Sequence, residues 1–100
     1  MEDFIKFNNL FSLYSSLLTE TQREIFEDYY GDNLSLQEIA DNRGTSKSFV
    51  GKTIKECEQK LLDYENKLHK LEIKEIIDKC LSDENLENIK KHIEKISKLL

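Results

Sequence analysis

The stretch LSLQEIADNRGTSKSFVGKTIKECEQKL, from Leu34 to Leu61, decides the reading of this chain. Ala40, Gly44 and Val50 stand four and six residues apart, the spacing of a helix-turn-helix. Ala40 is small enough to let two helices cross closely. Gly44 supplies a left-handed turn residue at little cost, and Val50 points back into the crossing. Ser35, with Glu38 three residues on, makes a capping-box pattern for the first helix. Ser46 stands where the second helix needs its cap.

Downstream of Ser46 the apolar pattern does not stop with the motif. Val50, Ile54, Cys57, Leu61, Tyr64, Leu68 and Leu71 step by four and three, which is a heptad seam running straight out of the recognition helix. Gly51 is the only breaker in this run, and a helix tolerates it at a cost of about 1 kcal/mol. Beyond Leu71 the seam meets Glu75 and Asp78, and the apolar face shifts to Ile73, Ile76, Ile77, Cys80 and Leu81. The shift predicts a bend or a change of packing partner. Ser82 and Asp83 are expected to open a last helix carrying Leu86, Ile89, Ile93, Ile96 and Leu100.

Upstream, Phe4, Phe7, Phe11, Tyr14 and Leu18 recur at helical spacing, with Leu10 and Leu17 widening the stripe. Thr19 or Thr21 caps the next helix, whose buried side is Ile25, Phe26, Tyr29 and Tyr30. Gly31-Asp32-Asn33 ends it. The expectation is an all-α protein of five helices, in which a long recognition helix continues into a C-terminal helical extension. Residues 1–65 form the helix-turn-helix domain, and 66–100 the extension, a candidate dimerisation segment. The apolar faces of the last helices exceed what one antiparallel pair covers. A homodimer burying part of the Leu61–Leu81 surface or the Leu86–Leu100 stripe follows as an expectation.

The chain of 100 residues contains no proline and three glycines, in keeping with long uninterrupted helices. No apolar run approaches the roughly 18 residues of a membrane span, and the opening Met-Glu-Asp has no basic segment of a signal peptide. No membrane association is expected. Cys57 and Cys80 fall within helical patterns and read as buried free thiols of a reducing, cytoplasmic compartment.

The net charge of −5 argues against a generic nucleic-acid binder, yet the charge is unevenly spread. Residues 1–42 hold two basic and nine acidic side chains, whereas residues 43–60 hold Arg43, Lys47, Lys52, Lys55 and Lys60 against Glu56 and Glu58. The turn and second helix are thus the clearest locally positive region. On a helical wheel Ser48, Gly51, Lys52 and Lys55 lie away from the Val50–Ile54–Cys57 face, with Lys47 beside them. Lys47, Ser48, Gly51, Lys52 and Lys55 are the candidate nucleic-acid-binding residues, better suited to phosphates than to base edges. Phe49, on the flank, is expected to pack against the first helices, the alternative being stacking on a base or a protein partner. His69 and His92 stand alone and the cysteines form no C-x-x-C, so no metal site is expected. No phosphate loop, nucleophile elbow or other catalytic constellation is present. Neither catalytic residues nor cofactors are predicted, and the chain does not read as an enzyme.

The segment NNLFSLYSSLLT from Asn8 to Thr19 resembles the opening of the bacterial YlxM-type proteins. Gln22-Arg23, Asp28-Tyr29-Tyr30, Ser35–Asp41 (SLQEIAD) and Tyr64–Leu68 (YENKL) follow in the order found in that family. The resemblance covers roughly residues 4–72, and the family's motif is in turn similar to region 4 of sigma factors. It implies a small cytoplasmic helical protein, encoded beside genes of the signal recognition particle. A regulatory role in that pathway, with a component of the particle as a partner, is inferred from this proximity. Two departures stand out. Arg43 and Thr45 replace the apolar residues that usually flank the turn, which should loosen it. Ser46-Lys47-Ser48-Phe49-Val50 replaces the usual Ser-Arg-Gln-Ala-Val, removing an arginine fork and a glutamine amide suited to base reading. The resulting expectation is a nucleic-acid-binding helix-turn-helix regulatory protein that takes DNA or RNA and is connected with the signal recognition particle pathway. The alternative is a protein-interaction module of the targeting or transcription machinery that keeps the fold without sequence-specific DNA binding.

Overall fold

A computed structural model describes residues 2–100 and is all-helical, with no strand among the described residues. Its α-helices are α1 (Glu2–Tyr14), α2 (Glu20–Phe26), α3 (Leu36–Arg43), α4 (Lys47–Leu68), α5 (Lys70–Ser82) and α6 (Leu86–Leu99). That is six helices rather than the expected five. A 3₁₀ turn, Ser15–Leu17, follows α1, and a π turn, Glu27–Gly31, extends α2. The chain divides into two compact units, the first ending at Tyr64 and the second running from Glu65 to Leu100.

In the first unit the helix starts follow their caps. Thr19 and Gln22 form a capping box on α2, and Ser35 and Glu38 form one on α3. The two hydrogen bonds with Ser35 hold the Glu38 carboxyl below its ordinary range. The Ser46 hydroxyl accepts from the Phe49 N–H at 3.1 Å, capping α4. Asn33, at φ 57°, closes the α2 extension. The core consists of Leu10, Tyr14, Leu18, Ile25, Phe26, Tyr30, Ile39, Ala40, Val50, Ile54, Cys57 and Leu61. Phe26 stacks between Phe11 and Tyr30, with ring centroids 4.6 and 4.4 Å away. Leu17, expected to widen the α1 stripe, is instead exposed, because the 3₁₀ turn breaks the helical phase before it.

Polar bonds tie α4 to the N-terminal helices. The Tyr30 hydroxyl donates to the Glu58 carboxylate, the Tyr64 hydroxyl donates to the Leu17 carbonyl at 3.2 Å, and Lys60 Nζ donates to Gln22 Oε1 at 3.3 Å. Burial, followed by the bond to Glu58, pushes the Tyr30 phenol up from its ordinary range. Burial likewise pushes the Cys57 thiol up to about 11, so it stays protonated at neutral pH and a poor nucleophile.

The heptad seam is buried as far as Leu61, continues half-buried at Tyr64 against the Tyr14 ring, and is exposed at Leu68. Leu61 therefore belongs to the core of the first unit, which removes it from the surface expected to join two copies. In the second unit the chain does not bend smoothly after Leu71. It breaks at His69, whose backbone is left-handed at φ 56°. The break is sealed by Glu65, whose two carboxylate oxygens accept from the N–H groups of Leu71 (2.9 Å) and Glu72 (3.1 Å). A carboxylate at a helix N-terminus satisfies two orphan donors and complements the helix dipole. This capping residue, supplied from a preceding turn, explains the sixth helix. The start of α6 also differs from expectation. Asn85, not Ser82 or Asp83, is the cap, accepting from Glu87 and Asn88 N–H at 2.9 and 3.3 Å. Across the α5–α6 hairpin, the Cys80 thiol approaches the Ile89 carbonyl at 3.9 Å and His92 Nε2 lies 3.6 Å from Asp83.

Candidate nucleic-acid interface

Gly44 ends α3 in the left-handed conformation, φ 66° and ψ 34°, as the motif requires. The N–H groups of Gly44 and Thr45 converge on the Ala40 carbonyl. Ala40 and Val50 are both fully inside. The turn is thus a three-residue connection whose geometry rests on one glycine.

Arg43 changes the electrostatics. Its guanidinium lies 2.7 Å from Asp28 and 2.9 Å from Glu24, bridging the end of α3 to α2 and its π turn. The bond to Asp28 raises the Arg43 pKa further, so the guanidinium keeps its charge. An ionic fork stands where the resemblance implied an apolar anchor, and the expected loosening is opposed on that side of the turn. The same fork withdraws Arg43 from the positive patch. Lys60 is engaged with Gln22, and Lys52 lies 4.0 Å from Glu56. Among the described residues, Lys47 and Lys55 carry no ion pair. The patch is less positive than the residue count implied.

The structure nonetheless brings all five sequence-predicted residues together. Lys47, Ser48, Gly51, Lys52 and Lys55 line one open groove of about 810 Å³ along the outer face of α4. Leu36 of α3, together with Glu56 and Gln59, completes the lining. Glu56 and Gln59 were legible in principle, since each lies four residues beyond a predicted lysine. Gln59 is an amide on this face, but it donates to Asp63 at 3.0 Å. Leu36 was not legible, because only the crossing of α3 over α4 places it there. Phe49 is not packed away as expected: it remains 44% exposed on the flank.

Gly51 forms the floor of the groove. A Cβ added there would meet Leu36 Cδ1 at 3.8 Å, ordinary contact, and the backbone is helical. Gly51→Ala should therefore raise stability by about 0.5–1 kcal/mol through helix propensity. A rise in the denaturant midpoint with an unchanged slope checks this. A fall would mean that the floor is closed by something other than Leu36.

These features define an all-helical helix-turn-helix protein with a groove on its second motif helix. Residues 1–99 match the UPF0122 family, the YlxM / p13 like helix-turn-helix proteins. The chain belongs to that family. A UPF0122 protein of Clostridium botulinum is 49% identical over 72 residues, which cover 72% of this chain and 66% of the relative. A UPF0122 protein of Fusobacterium nucleatum is 40% identical over 96 residues, covering 96% of this chain and 93% of the relative. No described helix is long and apolar enough to cross a membrane.

Proposed function

We propose that this protein is a nucleic-acid-associated, non-enzymatic regulator that uses the outer face of α4. The observation that carries the reading is the gathering of Lys47, Ser48, Gly51, Lys52 and Lys55 along one open groove beside the helix-turn-helix crossing. Three ammonium groups on an exposed helix, without an arginine fork, suit phosphate oxygens of DNA or RNA better than base edges. A cytoplasmic place in the signal recognition particle pathway rests on the family resemblance and its gene neighbourhood. No metal or cofactor is part of the proposal.

The protein-interaction reading draws on a different observation. Arg43 is neutralised by Glu24 and Asp28, and Glu56 sits within the groove. An acidic chain with this reduced patch also suits a basic protein surface, whose approach would be steered by charge. Titrations against duplex DNA, signal recognition particle RNA and the particle's protein at two salt concentrations separate the two. For nucleic acid, replacing one of Lys47, Lys52 or Lys55 with alanine should lower the slope of log K against log salt by about 0.9 on duplex DNA. An unchanged slope in all three variants would place the phosphates elsewhere.

A further inference from the structure

We propose that two copies of this chain associate through α6 as an antiparallel pair about a two-fold axis at Ile93. The surface is present but uncovered. Leu86, Ile93 and Leu100 are 66%, 56% and 90% exposed. Spaced by seven residues, they drift only about 20° per step around a helix and form one continuous stripe. Ile89, Ile96 and Leu99 occupy the adjacent strip and are half-buried. Ile89, whose carbonyl faces the Cys80 thiol, marks the side turned to α5. The Leu86–Ile93–Leu100 stripe is therefore additional to the one that closes the hairpin.

The charges beside the stripe select a second copy, and its direction. On the flank away from α5 lie Lys90 and Glu94, with Glu87 and Lys98 farther round. None of the four is in an ion pair among the described residues. An antiparallel pair centred on Ile93 sets Leu86 opposite Leu100 of the copy. It also brings Lys90 within a turn of the copy's Glu94, and Glu87 beside the copy's Lys98. Each such pairing occurs twice by symmetry, as an isologous interface requires. A parallel pair would instead lay this charged flank against Ile89 and Ile96, the strip already turned to α5. Net charge agrees. Residues 65–100 carry eight acidic and eight basic side chains, so two copies meet there without net repulsion. Residues 1–64 carry twelve acidic and seven basic side chains, so self-association through that part is opposed.

Sedimentation equilibrium on the full chain across micromolar concentrations tests the assignment. The wild type should approach twice the 11.8 kDa chain mass. Ile93→Glu should retain the helical circular dichroism signal and raise the dimer dissociation constant at least about thirtyfold, as for a central interface residue. Lys90→Glu should weaken the dimer about tenfold, and Lys90→Glu combined with Glu94→Lys should restore it to within about threefold. A chain that stays at 11.8 kDa at high micromolar concentration overturns the proposal. So does a dimer indifferent to Ile93→Glu, or a double swap that fails to restore association.

Discussion

Replacing Lys47, Lys52 and Lys55 together with glutamate should abolish nucleic-acid binding and leave the helical fold intact. The three side chains are exposed on the same groove, and their reversal turns its wall from mixed to wholly acidic, because Glu56 is already there. Phosphate contacts dominate non-specific affinity, so a loss of about a thousandfold or more is expected at low salt. The fold should be nearly indifferent. Lys52→Glu places a like charge four residues from Glu56, costing a few tenths of a kcal/mol, about 0.2–0.5. Lys47→Glu puts an acid in the first turn of α4, where the helix dipole favours it. Binding isotherms at low and moderate salt, with circular dichroism on the same samples, read both effects. Binding that survives would remove α4 as the nucleic-acid surface. Wild-type protein that binds no nucleic acid even at low salt would favour the protein-interaction reading.

Phe26→Ala should destabilise the chain by about 3–5 kcal/mol, the range for truncating a buried aromatic ring. Phe26 has no exposed surface and stacks on both Phe11 and Tyr30. Its loss leaves a cavity between the α1 stripe and the extension of α2, and removes two ring contacts worth about 0.5–1.5 kcal/mol each beyond burial. Domains of this size have only about 5–15 kcal/mol of stability. Thermal melting should shift down by about 12 °C or more. Tyr30→Phe is the control, since it keeps the ring and removes only the hydroxyl that bonds Glu58. Its cost should be smaller, about 1–2 kcal/mol. A Phe26→Ala loss no larger than that of Tyr30→Phe would contradict a core organised around this aromatic stack.

Local chemistry made much of the helical framework legible. Ser35 with Glu38, Thr19 with Gln22 and Ser46 act on N–H groups within three residues of themselves, so sequence spacing suffices to find them. Gly44 was legible for the same reason: a left-handed turn residue is a property of one position. The apolar steps from Val50 to Leu61 and the outward set Lys47, Ser48, Gly51, Lys52 and Lys55 follow from helical periodicity alone. The family, too, was carried by the order of these local motifs.

What the tertiary structure decided depends on residues meeting from different helices. Arg43 read as a member of a positive patch and a weak anchor for the turn. Only the approach of α3 to α2 showed it forked between Glu24 and Asp28. Leu36 entered the groove through the crossing of α3 over α4, which no spacing within either helix encodes. Phe49 lies 44% exposed on the flank of α4, which helical periodicity alone did not show. The break at His69 was invisible to periodicity because the apolar steps continue through it to Leu71, and the carboxylate that seals it belongs to the preceding helix. Sequence by itself determined that the chain is helical, where α2, α3 and α4 begin and which face of α4 is apolar, since propensity, capping and periodicity act over a few residues. Which charges remain available to a ligand, and where the long seam stops, were decided by packing, since burial and pairing depend on partners distant in the chain.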